Sequence, residues 1–459
     1  MLTTKFLKFN KISFLLVLVS IAFYISFAYD LVRTDWLKLL SLYGGLFFLF
    51  YKIVQLNKPN FKFLLLVALL FRLIFLFAMP NLSQDFYRFI WDGRMIVAGL
   101  NPYLHTPASF LELCRLPFAQ CQELYNGMGA LNGSHFTNYP PIKQLIFAVS
   151  AIFSGKSILG SAIVFRIFII AADFGTLYFG KKLLEKFNMP ISNIFWYLLN
   201  PFVIIELTGS LHFEGIMIFF LVWSFYLLQK GNWKLAGVVF ALSISVKLIP
   251  LMFLPLFYQW FKTKKSGVFK ILQFYLIIVM TTIFLFAPFY SSQFLNNYSQ
   301  TVALWFSDFE FNASLYYVAR GIGFTITGYN EIATIGKFIP IIVTLVLLGI
   351  TFFRNNSTLP KLIVSMLLIA TFYYFASTTI HPWYLTTLVI LSIFTNYKFP
   401  IVWSLMIILS YLAYANVDNK ENLWVIAIEY TVVFSIFIWE VFVKKKSVEI
   451  NSQKLPSNS

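Results

Sequence analysis

The chain has 459 residues, of which 59% are hydrophobic and only 12% charged, with a mean hydropathy of +0.77. A water-soluble domain of that balance would aggregate, so the sequence is that of a membrane protein, and its apolar runs leave no stretch long enough for a separate soluble domain of ordinary size. The formal charge of +17 does not point to nucleic acid, because the lysines stand in short clusters between apolar runs and not along one polar face.

In chain order, apolar runs predict helices over residues 12–29, 37–54, 63–79, 158–178, 192–208, 212–229, 233–247, 249–261, 268–288, 333–353, 361–379, 383–396, 399–415 and 424–443. The expected fold is therefore all-α, a polytopic transmembrane bundle of about 12–14 helices. The first run follows Lys5, Lys8 and Lys11, lacks a small-residue cleavage site and is followed promptly by another span, so it reads as a transmembrane helix. The members at 233–247 and 249–261, around Pro250, fall below the ~20 residues of a perpendicular crossing and read as broken or partly buried helices. Lys52, Lys58 and Lys62, then Lys181, Lys182 and Lys186, then Lys262, Lys264, Lys265 and Lys270, and finally Lys444 to Lys446 occupy alternate loops, which makes those loops cytoplasmic. Both termini then lie inside, and two long connections, 80–157 and 289–332, lie outside, with 142–154 and 314–327 as short interfacial or re-entrant helices. Residues 1–446 read as one domain and the polar stretch 447–459 as a disordered cytoplasmic tail. The two cysteines, Cys114 and Cys121, fall in the first outer loop, either as a disulfide in an oxidising compartment or as two small apolar residues on a loop helix. No internal repeat supports a transporter built from inverted halves.

The first outer loop opens with the most polar part of the chain, NLSQDFYRFIWDGR over residues 81–94. On a helix, Asp85, Arg88 and Asp92 share one face, which sets carboxylates at the membrane surface. Sugar transfer from a phospholipid carrier needs a carboxylate to take the acceptor's proton and cations to neutralise the departing phosphate. Asp85 is the preferred base because it comes first after the span, whereas Asp92, followed by Gly93 and Arg94, can simply be paired. The alternative is an interfacial helix with ordinary surface ion pairs. Asn101-Pro102-Tyr103 and Asn138-Tyr139-Pro140-Pro141 are turn-forming and aromatic, suited to shaping a sugar site or to ending helices. Lys247, near the outer end of its helix, requires an anionic partner: a lipid phosphate, Glu206, Glu214 or the interface. Arg166 and Asp173, seven apart on one helix, read as a structural pair. His212 and Glu214 in one outer turn, and His381, Trp383 and Tyr384 in another, stand on the leaflet of Asp85, although Trp and Tyr also suit an aromatic belt. No Gly-rich phosphate loop and no zinc-spaced cluster is present; a divalent cation shared between Asp85 and a second carboxylate stays open without being demanded by the spacing.

The run from Asp85 through Tyr87, Trp91, Asp92, Gly93 and Arg94 to Asn101-Pro102-Tyr103 resembles the first outer loop of bacterial C-type membrane mannosyltransferases that use polyprenyl-phosphate mannose. Tyr139-Pro140-Pro141, Asn200-Pro201, His212 to Glu214, Ser245-Val246-Lys247-Leu248-Ile249-Pro250 and His381-Pro382-Trp383-Tyr384 are similar to later blocks of that family, in the same order. The resemblance spans roughly residues 60 to 400. It implies a C-type helical fold in the bacterial cytoplasmic membrane, with the site facing the periplasm or exterior. It also implies one-step, inverting transfer of a hexose, mannose, from a polyprenyl-phosphate donor to a glycan or glycolipid acceptor, with Asp85 as general base. On that reading Lys247, with Arg88 or Arg94, holds the phosphate. Tyr103, Trp383 and Tyr384 line sugar or lipid, His212 and His381 donate hydrogen bonds, and Asp92 and Glu214 complete the substrate-binding set. Two departures stand out: His212-Phe213-Glu214 replaces a His-Asn-Asp form, which leaves the role of Glu214 open, and the first two helices lie outside the resemblance. The competing readings are a polymerase or ligase of lipid-linked oligosaccharides and a transporter or flippase.

Overall fold

The computed structural model describes residues 11–112, 117–307, 309–416 and 418–444, and among these the protein is helical, with a single isolated parallel bridge between Phe311 and Thr379. The tail 447–459 and Cys114, and with it the expected disulfide, lie outside the described residues; Cys121 is buried and its thiol donates to the Phe118 carbonyl.

Three helices open the chain: α1 (Lys11–Tyr29), α2 (Trp36–Leu56) and α3 (Phe61–Ile74). Their starts are fixed locally, since the side chains of Asp35 and Asn60 accept from the amides of Lys38 and Phe63 and so cap α2 and α3. The first long connection folds as α4 (Asp85–Val97), α5 (Cys121–Gly133) and α6 (Pro141–Ser154), and α7 (Ile158–Lys186) follows as a long apolar helix. After a bent segment come α8 (Glu214–Gln229), α9 (Trp233–Ile244), α10 (Gly267–Phe286), α11 (Ile332–Phe353), α12 (Leu359–Ala376) and α13 (Leu423–Ile438). Among the described residues seven helices are long and apolar enough to cross a membrane, and the bent pair Ile191–Leu198 and Pro201–Gly209, with an angle of 51°, makes an eighth if counted as one span. The chain is a multi-pass membrane protein.

The bend has a local cause. Pro201 supplies no amide and pushes the preceding residue out of the helical region, and Asn200 sits extended with its side chain accepting from the Phe202 amide. Beyond it, Ile204–Gly209 widens into a π-helix that ends in the left-handed Leu211 (φ 64°). A widened helix end leaves carbonyls without intrahelical donors, which is expensive in an apolar layer. Arg166 of α7 meets that need by donating to the carbonyls of Thr208 and Gly209 at 2.9 and 3.2 Å, and to that of Leu76 at 3.2 Å.

Arg166 therefore does not pair with Asp173, contrary to the sequence expectation. Asp173 instead binds Arg72 of α3, Nε to Oδ2 at 2.8 Å, with both side chains 0% exposed. Residues seven apart on a helix lie on one face but about 10 Å apart along the axis, too far for direct contact, so each charge finds its partner on another element. Arg72 also donates to the Leu198 carbonyl at 2.7 Å, which ties α3, α7 and the bent segment together.

In the first long connection α4 packs on α6 with almost no space between backbones. A Cβ on Gly93 would lie 2.2 Å from the Phe147 carbonyl oxygen, so only glycine permits this approach. Gly93→Ala is expected to lower the melting temperature in detergent, by overpacking worth about 1–3 kcal/mol. Gly44→Ala, in α2 where a Cβ would meet nothing within 4 Å, is expected to be neutral or stabilising. Equal melting temperatures for the two variants would refute the close contact.

Candidate active site

Both long connections and the turns before α8 and after α9 and α12 converge on one cavity of about 830 Å³. Its polar wall carries Asp85, Lys143, His212, Glu214, Lys247 and His381; a second wall is apolar, with Leu251, Met252, Pro340, Val343 and Leu347 from the segment after α9 and from α11.

Asp85 is the first residue of α4, where the positive end of the helix dipole favours a carboxylate. Asn132, at the end of α5, donates Nδ2–H to its Oδ1 at 3.3 Å. Burial raises the Asp85 carboxyl above the usual carboxylate range, against the opposing pull of that hydrogen bond and of Lys143. Asn132 is placed in turn by Arg88, whose Nη1–H donates to the carbonyls of Asn132 and His135 at 2.6 and 3.0 Å.

The same cavity is lined by a charge pair and an aromatic stack. Lys247 forms an ion pair with Glu214, and its ammonium sits 4.0 Å from the ring centre of Tyr384. The Trp383 indole is held between two imidazoles, His212 at 3.6 Å and His381 at 4.6 Å between ring centres, and Phe311 stacks on the far face of His381 at 5.3 Å. The bridge to Thr379 fixes this end of the stack, because Phe311 N–H donates to the Thr378 carbonyl and its own carbonyl accepts from Ile380 N–H. Burial, then the nearby Lys247, pulls His381 down to about 3 and His212 well below its ordinary value, so both rings are neutral at physiological pH. Two buried polar atoms, His212 Nε2 and Glu214 Oε2, have no hydrogen-bond partner among the described residues.

Of the residues singled out from the sequence, Asp85, His212, Glu214, Lys247, His381, Trp383 and Tyr384 line the cavity together. Arg88, Asp92, Arg94 and Tyr103 are not among its lining residues. Arg88 and Asp92 pair at 2.8 Å, and Gln144 donates to the other Asp92 oxygen at 3.0 Å. Arg94 donates to Ala119, Gln120 and Lys156. Tyr103 donates to the Tyr139 carbonyl, and its own carbonyl accepts from Asn297. These four knit the two long connections into the wall behind the site. Among the described residues no group of three His, Cys, Asp or Glu side chains stands close enough to hold a metal ion.

A family described as alpha-(1->6)-mannopyranosyltransferase, N-terminal domain, matches residues 17–262, more than half of the chain. The chain belongs to this family. Residues 209–318 also match the ALG3 protein family, and no individual curated protein matches. The protein is thus a multi-pass membrane glycosyltransferase of mannosyltransferase type. The first match begins inside α1 and so includes the two opening helices that the sequence resemblance left out. In this mannosyltransferase their connection reaches the cavity: Arg33 lines it, donates to the Leu82 carbonyl at 3.2 Å and lies 4.1 Å over the ring of Tyr414.

Sequence reasoning also passed over Lys143, Asn132 and Tyr414. Lys143 gave a signal, since it is a lysine one turn into an apolar helix that opens with Pro141, the same oddity that drew notice to Lys247. Arg33 gave one as well, as a cation in a loop assigned to the outside. Asn132 and Tyr414 gave none.

Proposed function

We propose that the protein transfers mannose from a polyprenyl-phosphate carrier to a glycan or glycolipid acceptor at the outer leaflet of the membrane, in one inverting step with Asp85 as general base. The carrying observation is that a carboxylate of raised proton affinity and a lysine ammonium share one cavity whose other wall is apolar. The apolar wall between Leu251, Met252 and α11 suits a polyprenyl chain. Lys247 takes the donor phosphate, exchanging its contact with Glu214. The unsatisfied Nε2 of His212 and Oε2 of Glu214 suit sugar hydroxyls, and the Trp383 and Tyr384 rings offer flat apolar faces to a pyranose. Arg88, Asp92, Arg94 and Tyr103 serve by holding the wall, Arg88 through Asn132. The lysine-rich loops support an arrangement with both termini in the cytoplasm and the site outside.

Purified enzyme in lipid nanodiscs is expected to turn over with polyprenyl-phosphate mannose and to yield a product of opposite anomeric configuration, read by NMR. Polyprenyl-phosphate glucose should be a poor donor, and a diphosphate-linked oligosaccharide should not react. Transfer of an intact oligosaccharide from the diphosphate carrier, with none from polyprenyl-phosphate mannose, would make the protein a polymerase or ligase and overturn the proposal.

A further inference from the structure

Three cations line the cavity: Arg33, Lys143 and Lys247. Two are already engaged, Arg33 by the Leu82 carbonyl and the Tyr414 ring, and Lys247 by Glu214. Lys143 differs. It is only 6% exposed, and among the described residues it makes no ion pair. Its ammonium is surrounded by rings, with Tyr139, Phe89 and Phe213 centred 4.4, 5.2 and 5.5 Å away. Ring faces offset part of the cost of burying a cation, but they do not replace a counter-charge. Lys143 also stands in the first turn of α6, where the positive end of the helix dipole adds to its own charge. The first amides of that turn are already used, Ile142 N–H by the Ser245 carbonyl and Lys143 N–H by that of Pro140, which leaves the side chain as the group facing the cavity.

We infer that Lys143 is the cation that meets the departing phosphate, and thus a further catalytic residue of the transfer; this rests on the function proposed above. In the step, the acceptor hydroxyl oxygen bonds to the anomeric carbon and its proton passes to the Asp85 carboxylate. The bond from the anomeric carbon to the phosphate oxygen breaks, and its electron pair leaves with that oxygen. A singly charged phosphodiester becomes a doubly charged monoester as Asp85 becomes neutral. One negative charge has crossed the cavity. Lys247 balances the single charge that the donor phosphate already carries, so the second charge, formed as the bond breaks, needs another cation. Lys143, which feels Asp85 and Asp92 of α4, Glu214 of α8 and Lys247 after α9, is felt by His212 and lies over the Tyr139 ring, is the cation of the cavity left to meet it.

Burial brings Lys143 down to about 8, so the ammonium form is lost, and with it the rate, as pH rises past that value; this predicts an alkaline limb near it in the profile of kcat/KM. Lys143→Met keeps the volume among the rings and removes the charge. The full-length variant in nanodiscs is expected to lose about 10²- to 10³-fold in kcat with little change in donor KM, and to show no alkaline limb from this group. Inhibition by farnesyl phosphate, a short stand-in for the product, should weaken by more than about tenfold, whereas inhibition by farnesol should not change. A kcat and a farnesyl phosphate inhibition constant within about twofold of wild type would overturn the inference. Should the Met variant not fold, Lys143→Arg decides: an alkaline limb displaced upward supports the role, and one left in place refutes it. Asp85→Asn, assayed in parallel, separates the two layers. Activity in that variant removes Asp85 as the base and with it the charge migration that Lys143 is taken to answer, while an inactive Asp85→Asn beside a fully active Lys143→Met removes only the role of Lys143.

Discussion

Replacing Asp85 by asparagine is expected to slow transfer by about 10²- to 10⁴-fold, the range contributed by a positioned general base. The substitution changes one oxygen to an amide nitrogen and nearly conserves shape. The remaining oxygen can still accept from Asn132, now at 3.3 Å from Oδ1, so α4 and α5 keep their contact and the melting temperature should stay near that of the wild type. What is lost is the proton acceptor. The wild-type profile carries the same information, because activity requires the carboxylate and falls as pH drops through its pKa. Burial raises that pKa, so the acid limb of kcat/KM should lie above the ordinary range of aspartates and should vanish in Asp85→Asn. A variant that retained most of the wild-type turnover number would take Asp85 out of the mechanism.

Arg72→Met is expected to destabilise the protein by about 3–5 kcal/mol, the cost of leaving one member of a buried ion pair without the other. Asp173, 0% exposed, would keep only the Tyr197 hydroxyl at 3.3 Å, and the Leu198 carbonyl would lose its donor. The double variant Arg72→Met with Asp173→Leu removes both charges and should recover much of the loss, since a buried pair replaced by apolar groups of similar volume is often near neutral. Thermal unfolding in one detergent at one pH measures the cycle. If the single and double variants melted together with the wild type, the pair would carry no structural weight. Activity should follow stability here, because α3 leads directly into the segment that ends at Asp85.

Much of the helical architecture was legible because each span must satisfy its own backbone in lipid, which forces long apolar runs that a sequence displays openly. The order of the blocks that contain Asp85, His212, Lys247 and Trp383 was legible for a similar reason: polar residues are costly in such a chain and stand out against it. Partner choice was not legible. Local spacing suggested Arg166 with Asp173, yet the closing contacts run between distant elements, Arg72 to Asp173 and Arg166 to the carbonyls of Thr208 and Gly209. Arg88 and Asp92 share a helix face as expected, but they were read as substrate-binding, whereas they pair with each other and neither lines the cavity. Lys143 showed itself only as a lysine near the start of an apolar helix; the Pro-Pro pair ahead of it reads as a helix start, and nothing in the flanking apolar residues reveals a cavity. Asn132 reaches Asp85 only through the fold of the loop between them.

The Arg33 guanidinium over the Tyr414 ring joins two segments far apart in the sequence, and the buried bond from Tyr411 to Glu206 at 2.9 Å ties the later of them to the bent segment. During biosynthesis the hairpin that holds Arg33 is made well before the segment with Tyr411 and Tyr414. A nascent chain therefore holds an open pocket over that interval, and the enclosure cannot close until Tyr414 has been added.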